Sequence, residues 1–377
     1  MISGGAEAFH RQTPPVVPLT DSGDTPLPRV SLSLKTVALA VPAGSGRKIV
    51  AISPWANQRQ PAAQTLIASS GDHRNPVASF SGRVVAFDTT TDFSGAGLPG
   101  RQIVARTRRA VLTLSNDPTG TSSNPALDAA GQRVVFESHG DLANTGNAGA
   151  RQVFLRDVDG TIRQLSTGFG TSGNAVISVR RNLAAFESTS DPRTGFDTGL
   201  AQVWLADLRD GSAAPITQGL GPSGNPAISN DGRLVVFEST ADLEADIPVD
   251  TGTWQVYAYD TRTRTFARIT SDPAGCRSPS AYQTLGDWRI AFVCDERPFY
   301  YMLRRDQRFL VQSDGGITQR LVAQLGVHFV VLSTTADLVN GGTTAGKRVY
   351  LVNLFKRPAQ PVEGTAVWFP ERGIPPL

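Results

Sequence analysis

The residues of this 377-residue chain that could do chemistry are four histidines, two cysteines and a set of carboxylates that return at regular intervals. His73 and His139 occupy comparable places in neighbouring stretches, and two imidazoles with nearby acids could hold a divalent metal. Chance placement is the better account of them, and His10 and His328 have no such company. The carboxylates are more orderly. Asp88, Glu137, Glu187 and Glu238 each directly follow a phenylalanine, and Asp92, Asp141, Asp191 and Asp242 stand five residues after that same phenylalanine. Asn75, Asn124, Asn174 and Asn225 open the stretches that lead to it. If these groups gathered at one end of a fold, they would form an acid- and amide-lined mouth. Such a mouth suits an oxygen-seeking cation such as Ca2+, or a basic or polar segment of a partner. The same residues also serve a fold directly: each Asp can accept backbone N–H groups in its own loop, and each Asn can cap a strand. A structural task recurs in every unit, whereas a binding task is usually asymmetric. Repetition therefore points to structure, and specificity falls to the loops that differ, at 144–149, 192–199 and 244–252.

What must position these groups is a repeat. NPVASFSGRVVAFDTTTDF, NPALDAAGQRVVFESHGDL, NAVISVRRNLAAFESTSDP and NPAISNDGRLVVFESTADL align on Phe87, Phe136, Phe186 and Phe237, at steps of 49, 50 and 51 residues. Looser copies place Phe292 and Leu332 in the same slot. A fixed period of this size marks one supersecondary unit used many times. In the best copy, Pro226 to Ser229 reads as a strand, Asn230-Asp-Gly232 as a turn, and Leu234 to Phe237 as an apolar run buried on both faces. Two further strands follow, at Gln255 to Tyr259 and Phe266 to Thr270. No window carries a helical stripe.

Four antiparallel strands per unit with apolar middle strands need sheets on both sides, and radial packing supplies them. The expected fold is all-β: a single β-propeller of four-stranded antiparallel blades, seven in number with six as the alternative. The seventh is a degenerate unit in which Arg29 to Leu34 takes the place of the second strand, Arg47 to Ile52 the third and Thr65 to Ser69 the fourth. Residues 1–28, rich in proline, read as an extended arm, 29–370 as the propeller and 371–377 as a tail. Ring closure is expected to pair both chain ends, with Thr365 to Phe369 as one partner, because closure removes the open edges that invite aggregation.

Composition agrees. With 40% hydrophobic residues, 37 glycines and 25 prolines, the chain can build a core out of short strands and turns. The net charge of +3 is carried by arginines scattered through the repeats, and the densest run, Arg106-Thr-Arg-Arg109, reads as a solvated turn. There is no nucleic-acid footprint and no apolar run long enough to span a membrane. Cys276 and Cys294 mark the two ends of one strand pair, which makes a disulfide geometrically reasonable and would place the chain in an oxidising compartment. The alternative is two free thiols. The opening MISGGAEAFHRQTPP lacks the basic-then-apolar order of a secretion signal. Gln102, Gln152, Gln202 and Gln255, just before the third strands, read as loop-to-blade hydrogen bonders, and Trp204, Tyr257 and Tyr350 as packing residues.

NPAISNDGRLVVFES followed by QVYAYDTRTRTFARIT resembles the TolB-like (WD40-like, PD40) β-propeller repeat over most of the chain. Arg180-Arg181 replaces the turn Asp-Gly in the third clear copy, and the unit around Phe292 lacks the acids. The resemblance speaks for fold more than function, because this repeat serves scaffolds, surface proteins, lyases and peptidase propellers alike. It does not imply TolB itself, whose additional α/β domain has no counterpart here, nor a peptidase, whose Gly-x-Ser-x-Gly elbow is missing. The expected function is a non-enzymatic binding or scaffold propeller, periplasmic or at the cell surface, docking a protein or peptide through its acid- and Asn-lined face. The alternatives are a metal-dependent propeller enzyme, a polysaccharide lyase or hydrolase using His73 and His139, and a structural subunit of an extracellular assembly. No cofactor is expected beyond Ca2+, and the oligomeric state is open.

Overall fold

The structure is a computed structural model that describes residues 16–19, 29–30, 36–53, 62–68, 71–146, 149–178, 180–284, 287–311, 318–323, 329–340, 343–353 and 360–361. Among these residues the strands form seven antiparallel sheets, one per repeat. Blade 1 spans residues 29–67, blade 2 73–113, blade 3 123–164, blade 4 172–215, blade 5 223–268, blade 6 276–310 and blade 7 318–353. Blades 1 to 6 are four-stranded meanders in sequence order, blade 6 with one strand added, and blade 7 has three strands of its own and a fourth from elsewhere in the chain. Gln360–Pro361 lies along the outer strand of blade 6. Val16–Pro18, from the proline-rich arm, pairs antiparallel with Thr343–Asn353 and supplies the outer strand of blade 7. That pairing closes the ring with the amino-terminal segment. The other closing segment expected, Thr365 to Phe369, lies outside the described residues.

The apolar middle strands pack as their composition requires. Phe87, Phe136, Phe186, Phe237, Phe292 and Leu332 are all fully buried. Each faces the preceding blade, where small side chains make room for it. Phe136 and Phe154 of blade 3 sit with Ala86 and Ala105 of blade 2, Phe237 and Tyr257 of blade 5 with Ala185 of blade 4, and Leu332 of blade 7 with Ala291 of blade 6. The aromatic slot is thus one position repeated around an axis, filled large-against-small as close packing demands. Trp204 stacks on Phe186, its register partner, with ring centroids 6.2 Å apart, and Tyr257 on Phe237 at 6.1 Å.

Blade 1 departs from the sequence reading. Its second strand is Val37–Ala43, not the stretch from Arg29, and Arg29–Val30 is its first strand. A tight turn at Gly44, with φ of +61°, joins Val37–Ala43 directly to Gly46–Ser53. Without a marker aromatic, the stretch from Arg29 and the true strand look alike to a pattern of apolar residues.

Candidate functional site

Alternating strands give the propeller two ends. One carries the turns between first and second strands and between third and fourth. The other carries the loops between second and third strands and the connections from blade to blade. The recurring Asn and acidic residues all lie at this second end.

There they form a chain of joints. Asn75, Asn124, Asn174 and Asn225 have left-handed backbones, with φ near +50°, a conformation Asn tolerates better than other residues with a Cβ. Each marks a bulge that shifts register on the first strand. Each side-chain amide donates to the acid of its own blade: Asn75 to Asp88 at 2.8 Å, Asn124 to Glu137 at 3.1 Å, Asn174 to Glu187 at 2.5 Å and Asn225 to Glu238 at 3.4 Å. The bulge also aims the next blade's backbone N–H at the same acid. Asn124 N donates to Asp88 at 3.3 Å, Asn174 N to Glu137 at 2.7 Å, Asn225 N to Glu187 at 3.0 Å and Ser278 N to Glu238 at 2.7 Å. Every acid therefore ties two blades together. Arg101 adds a contact to Asp88 at 2.5 Å and Arg151 one to Glu137 at 3.4 Å. At the next two positions stand Ala201 and Trp254, so the arginine is lost. Burial pushes the Glu238 carboxyl above the usual glutamate range, against the opposing pull of Ser278, Asn225 and Arg277.

The second set of acids works inside single loops. Asp92 accepts from Ser94 and from the amides of Gly97 and Leu98, Asp141 from Thr145 and Gly146, and Asp191 from Arg193 and Thr194. Asp242 accepts from Glu244 N at 3.4 Å. Hydrogen bonding holds Asp92 below the ordinary aspartate range, the Ser94 hydroxyl first among its donors, and Asp191 likewise through the Thr194 amide. The glutamines stitch third strands to the following connection: Gln102 Nε2 donates to Asp117 O while its Oε1 accepts from the Ser115 hydroxyl, and Gln152, Gln202 and Gln255 repeat the scheme.

His73 has an equally local role. It is fully buried, its Nδ1 lies 2.7 Å from Thr89 Oγ1, and it packs edge-on against Phe87. Two residues before the bulge, the first and second strands of three blades share a polar rung: Ser172 with Ser188 at 2.9 Å in blade 4, Ser223 with Ser239 at 2.8 Å in blade 5, and His73 with Thr89 in blade 2, whereas in blade 3 Ser122 and Ser138 both donate to Asp117. Sequence reasoning missed this rung because it is visible only once the register is known. Blade 6 fills the same rung with a disulfide between Cys276 and Cys294, whose Cα atoms are 4.1 Å apart. His139 is exposed and offers its backbone N–H to Thr121. Among the described residues the structure does not bring His73 and His139 into one ligand set. The group of acids and sulfurs that does converge is Asp272, Cys276 and Cys294, and both of its sulfurs belong to the disulfide. A disulfide offers no thiolate to a metal.

Above the joints, the loops give this end an uneven rim. In blade 4, Leu183–Ser190 and Asp197–Asp207 form a tall hairpin, and in blade 5 so do Leu234–Ala241 and Asp250–Asp260. Each hairpin tip is braced by the connection before it, through Phe169 N to Gly195 O at 2.7 Å and Leu220 N to Pro248 O at 2.8 Å. Both braces present apolar side chains to solvent. Phe169 and Phe196 stack at 6.2 Å while remaining 69% and 66% exposed, and at the blade 5 brace Leu220 and Ile247 are 66% and 68% exposed. Blade 6 breaks the rim. Its second and third strands join through Asp295-Glu296 alone, both at positive φ, the two-residue turn of a minimal hairpin. The resulting notch is a cavity of about 620 Å³ between the blade 5 hairpin and blade 7. Trp254, Arg277, Ser278, Glu296 and Thr318 line it, and the Arg277 guanidinium lies over the Trp254 ring at 4.7 Å.

No family model matches the chain, and no curated protein sequence does. Solved structures do. Oligogalacturonate lyase in complex with manganese aligns with a TM-score of 0.56 and 10% identity, over 90% of this chain and 98% of that one. The propeller domain of the trilobed protease from Pyrococcus furiosus aligns with a TM-score of 0.58 and 9% identity, over 88% and 96%. A putative TolB from Agrobacterium tumefaciens shares 16% identity over 68% and 87%, with a TM-score of 0.47. The chain is an all-β propeller of four-stranded antiparallel blades, similar in fold to the trilobed-protease propeller and to oligogalacturonate lyase at low sequence identity.

Proposed function

We propose that this propeller is a non-enzymatic binding protein that docks a protein partner on the rim of blades 4, 5 and 6. The observation that carries the reading is the exposure of Phe169 and Phe196, stacked on one braced hairpin, and of Leu220 and Ile247 on the braced hairpin of the adjacent blade. Large apolar side chains held rigid in water mark interaction sites, and aromatic anchors dominate interface energetics. The adjoining notch adds Trp254 and Arg277, two residue types enriched at such hot spots. The sequence reading put the docking face at the end marked by Asn75, Asn124, Asn174, Asn225 and the acids after the marker aromatics, with specificity in the loops that differ. Those groups hold the blades together, so the partner is read by the loops above them. His73 is engaged with Thr89, which supports the non-enzymatic reading over a histidine-bound metal. No helix among the described residues is long and apolar enough to cross a membrane, and the Cys276–Cys294 disulfide supports a periplasmic or extracellular setting.

The test is a photo-crosslinking amino acid at position 196, with the same group at Val158 on the opposite end as control. A partner protein should be captured from position 196 only. The double variant F169S/F196S should weaken its binding by about thirtyfold or more while thermal stability stays within about 0.5 kcal/mol of wild type. Equal capture from both positions, or undiminished binding by the double variant, would remove the reading. Capture of a second copy of this chain would replace it with self-assembly.

A further inference from the structure

A second cavity lies at the opposite end, on the seam between blades 1 and 2, and its chemistry is cationic. It measures about 270 Å³ and is lined by Arg83, Arg106 and Arg108 together with Thr36, Ser81 and Gln64. No carboxylate lines it among the described residues. Arg106 is held in place across the seam, its Nε donating to Leu66 O of blade 1 at 3.3 Å and its Nη1 to Thr107 O at 3.0 Å. The seam is tight here: Gly82 has φ of +66°, and a Cβ on it would meet Thr36 Oγ1 at 2.5 Å.

The repeat shows what is unusual. At the end of the third strand, blades 3, 4 and 5 carry Asp157, Asp207 and Asp260, and each pairs with an arginine: Arg133 at 2.8 Å, Arg209 at 2.5 Å and Arg233 at 3.0 Å. Arg83 occupies in blade 2 the position that Arg233 occupies in blade 5. Thr107 stands at the aspartate position of this blade. Blade 2 thus keeps the arginine, omits the acid that neutralises it elsewhere, and adds Arg106 and Arg108 around a hollow. Met302 of blade 6 and Asn353 of blade 7 also stand where the aspartate would be; what sets blade 2 apart is that its arginines border one hollow with no carboxylate among the described lining residues, which suits a binding task.

We infer that this cavity binds a tetrahedral oxyanion, the phosphoryl or sulfate group of a small molecule, with Arg83 and Arg108 as its charge partners and Arg106 as a fixed donor. Guanidinium groups present planar pairs of N–H donors suited to such anions, and hydroxyls of the kind Ser81 carries complete a phosphate shell. The volume is below that of a drug-sized site, so the anionic group itself is the main determinant.

Calorimetric titration of the full chain with inorganic phosphate, and separately with sulfate, tests this at low ionic strength, where charge interactions are least screened. One saturable site is expected for at least one of the two anions. Thr107→Asp, which restores the acid of the other blades, should weaken binding at least about tenfold, as should Arg83→Gln, while Thr107→Ser should leave it unchanged. Melting temperatures of the ligand-free variants separate loss of binding from loss of fold, and Arg83→Gln serves if T107D does not fold. Silence with both anions, T107D and R83Q binding like wild type, or equal competition by chloride at matched ionic strength would each overturn the inference.

Discussion

Blades 2 to 5 and blade 6 meet the same mechanical demand with different chemistry. In the former, a left-handed Asn and an acid join each blade to the next, and in blades 2, 4 and 5 a hydrogen-bonded polar rung ties the first strand to the second. Blade 6 has Val293 where the acid would be, Ser278 at the bulge, and a covalent rung at Cys276–Cys294. Blade 6 is also where the rim falls away and the 620 Å³ cavity opens. The difference teaches that a joint can be relinquished where a face must be open, provided the blade is held by something else. A disulfide removes chain entropy from the unfolded state and leaves no loop above it.

The comparison can be broken first at its strongest joint. Glu137 is fully buried and accepts from Asn124 Nδ2 and Asn174 N, with Arg151 beside it. Glu137→Ala strips three groups of their partner at once. Unsatisfied buried polar groups are costly, so a loss of about 3 kcal/mol is expected in urea unfolding. An effect no larger than that of an exposed substitution such as Asp159→Ala would show that the joints do not hold the ring.

Next comes the rung. The double variant C276S/C294S rewrites blade 6 in the hydroxyl form of blade 5. A bridge between residues 18 apart in sequence contributes about 3 kcal/mol, and a serine pair should return about 1, leaving a net loss near 2 kcal/mol. C276A/C294A should lose more. Equal loss in both would mean that the rung position confers nothing except through covalent linkage.

The regular blades were the most legible part of the sequence. Phe87, Phe136, Phe186 and Phe237 announce their slot because packing between radial sheets admits one large side chain at one depth. The Asn and acid positions were legible as a set sharing one end, but their pairing across blades was not. It depends on a bulge that turns the next backbone N–H toward the acid, and nothing in the spacing of Asn174 shows that its amide faces Glu137. His73 was open on sequence alone: a histidine beside recurring acids admits a metal, whereas its register partner Thr89 makes it one more rung. The exposed Phe169 and Phe196 sit in segments of unremarkable composition, and only the brace between Phe169 N and Gly195 O brings their rings together. Val16–Pro18 escaped notice because three residues carry no pattern.

The finest test concerns the last acid of the series. Glu238 joins blade 5 to blade 6 as Glu137 joins blade 3 to blade 4, but Trp254 has displaced the arginine of its own blade, and burial holds its carboxyl above the usual range. A carboxyl whose folded value is raised binds its proton more tightly in the native state. Its contribution is therefore fully present below the ordinary glutamate value and is lost as pH rises through the raised one. Glu238→Gln cannot titrate, and its amide oxygen can still accept from Ser278 N. At neutral pH the substitution should shift stability by under about 1 kcal/mol, far less than Glu137→Ala. As pH rises from acid to neutral, wild type should lose ground relative to Glu238→Gln, measured as the difference between their urea midpoints at each pH. If wild type instead gains with rising pH, the partners of Glu238 outweigh its burial, and the joint into blade 6 is no weaker than the rest.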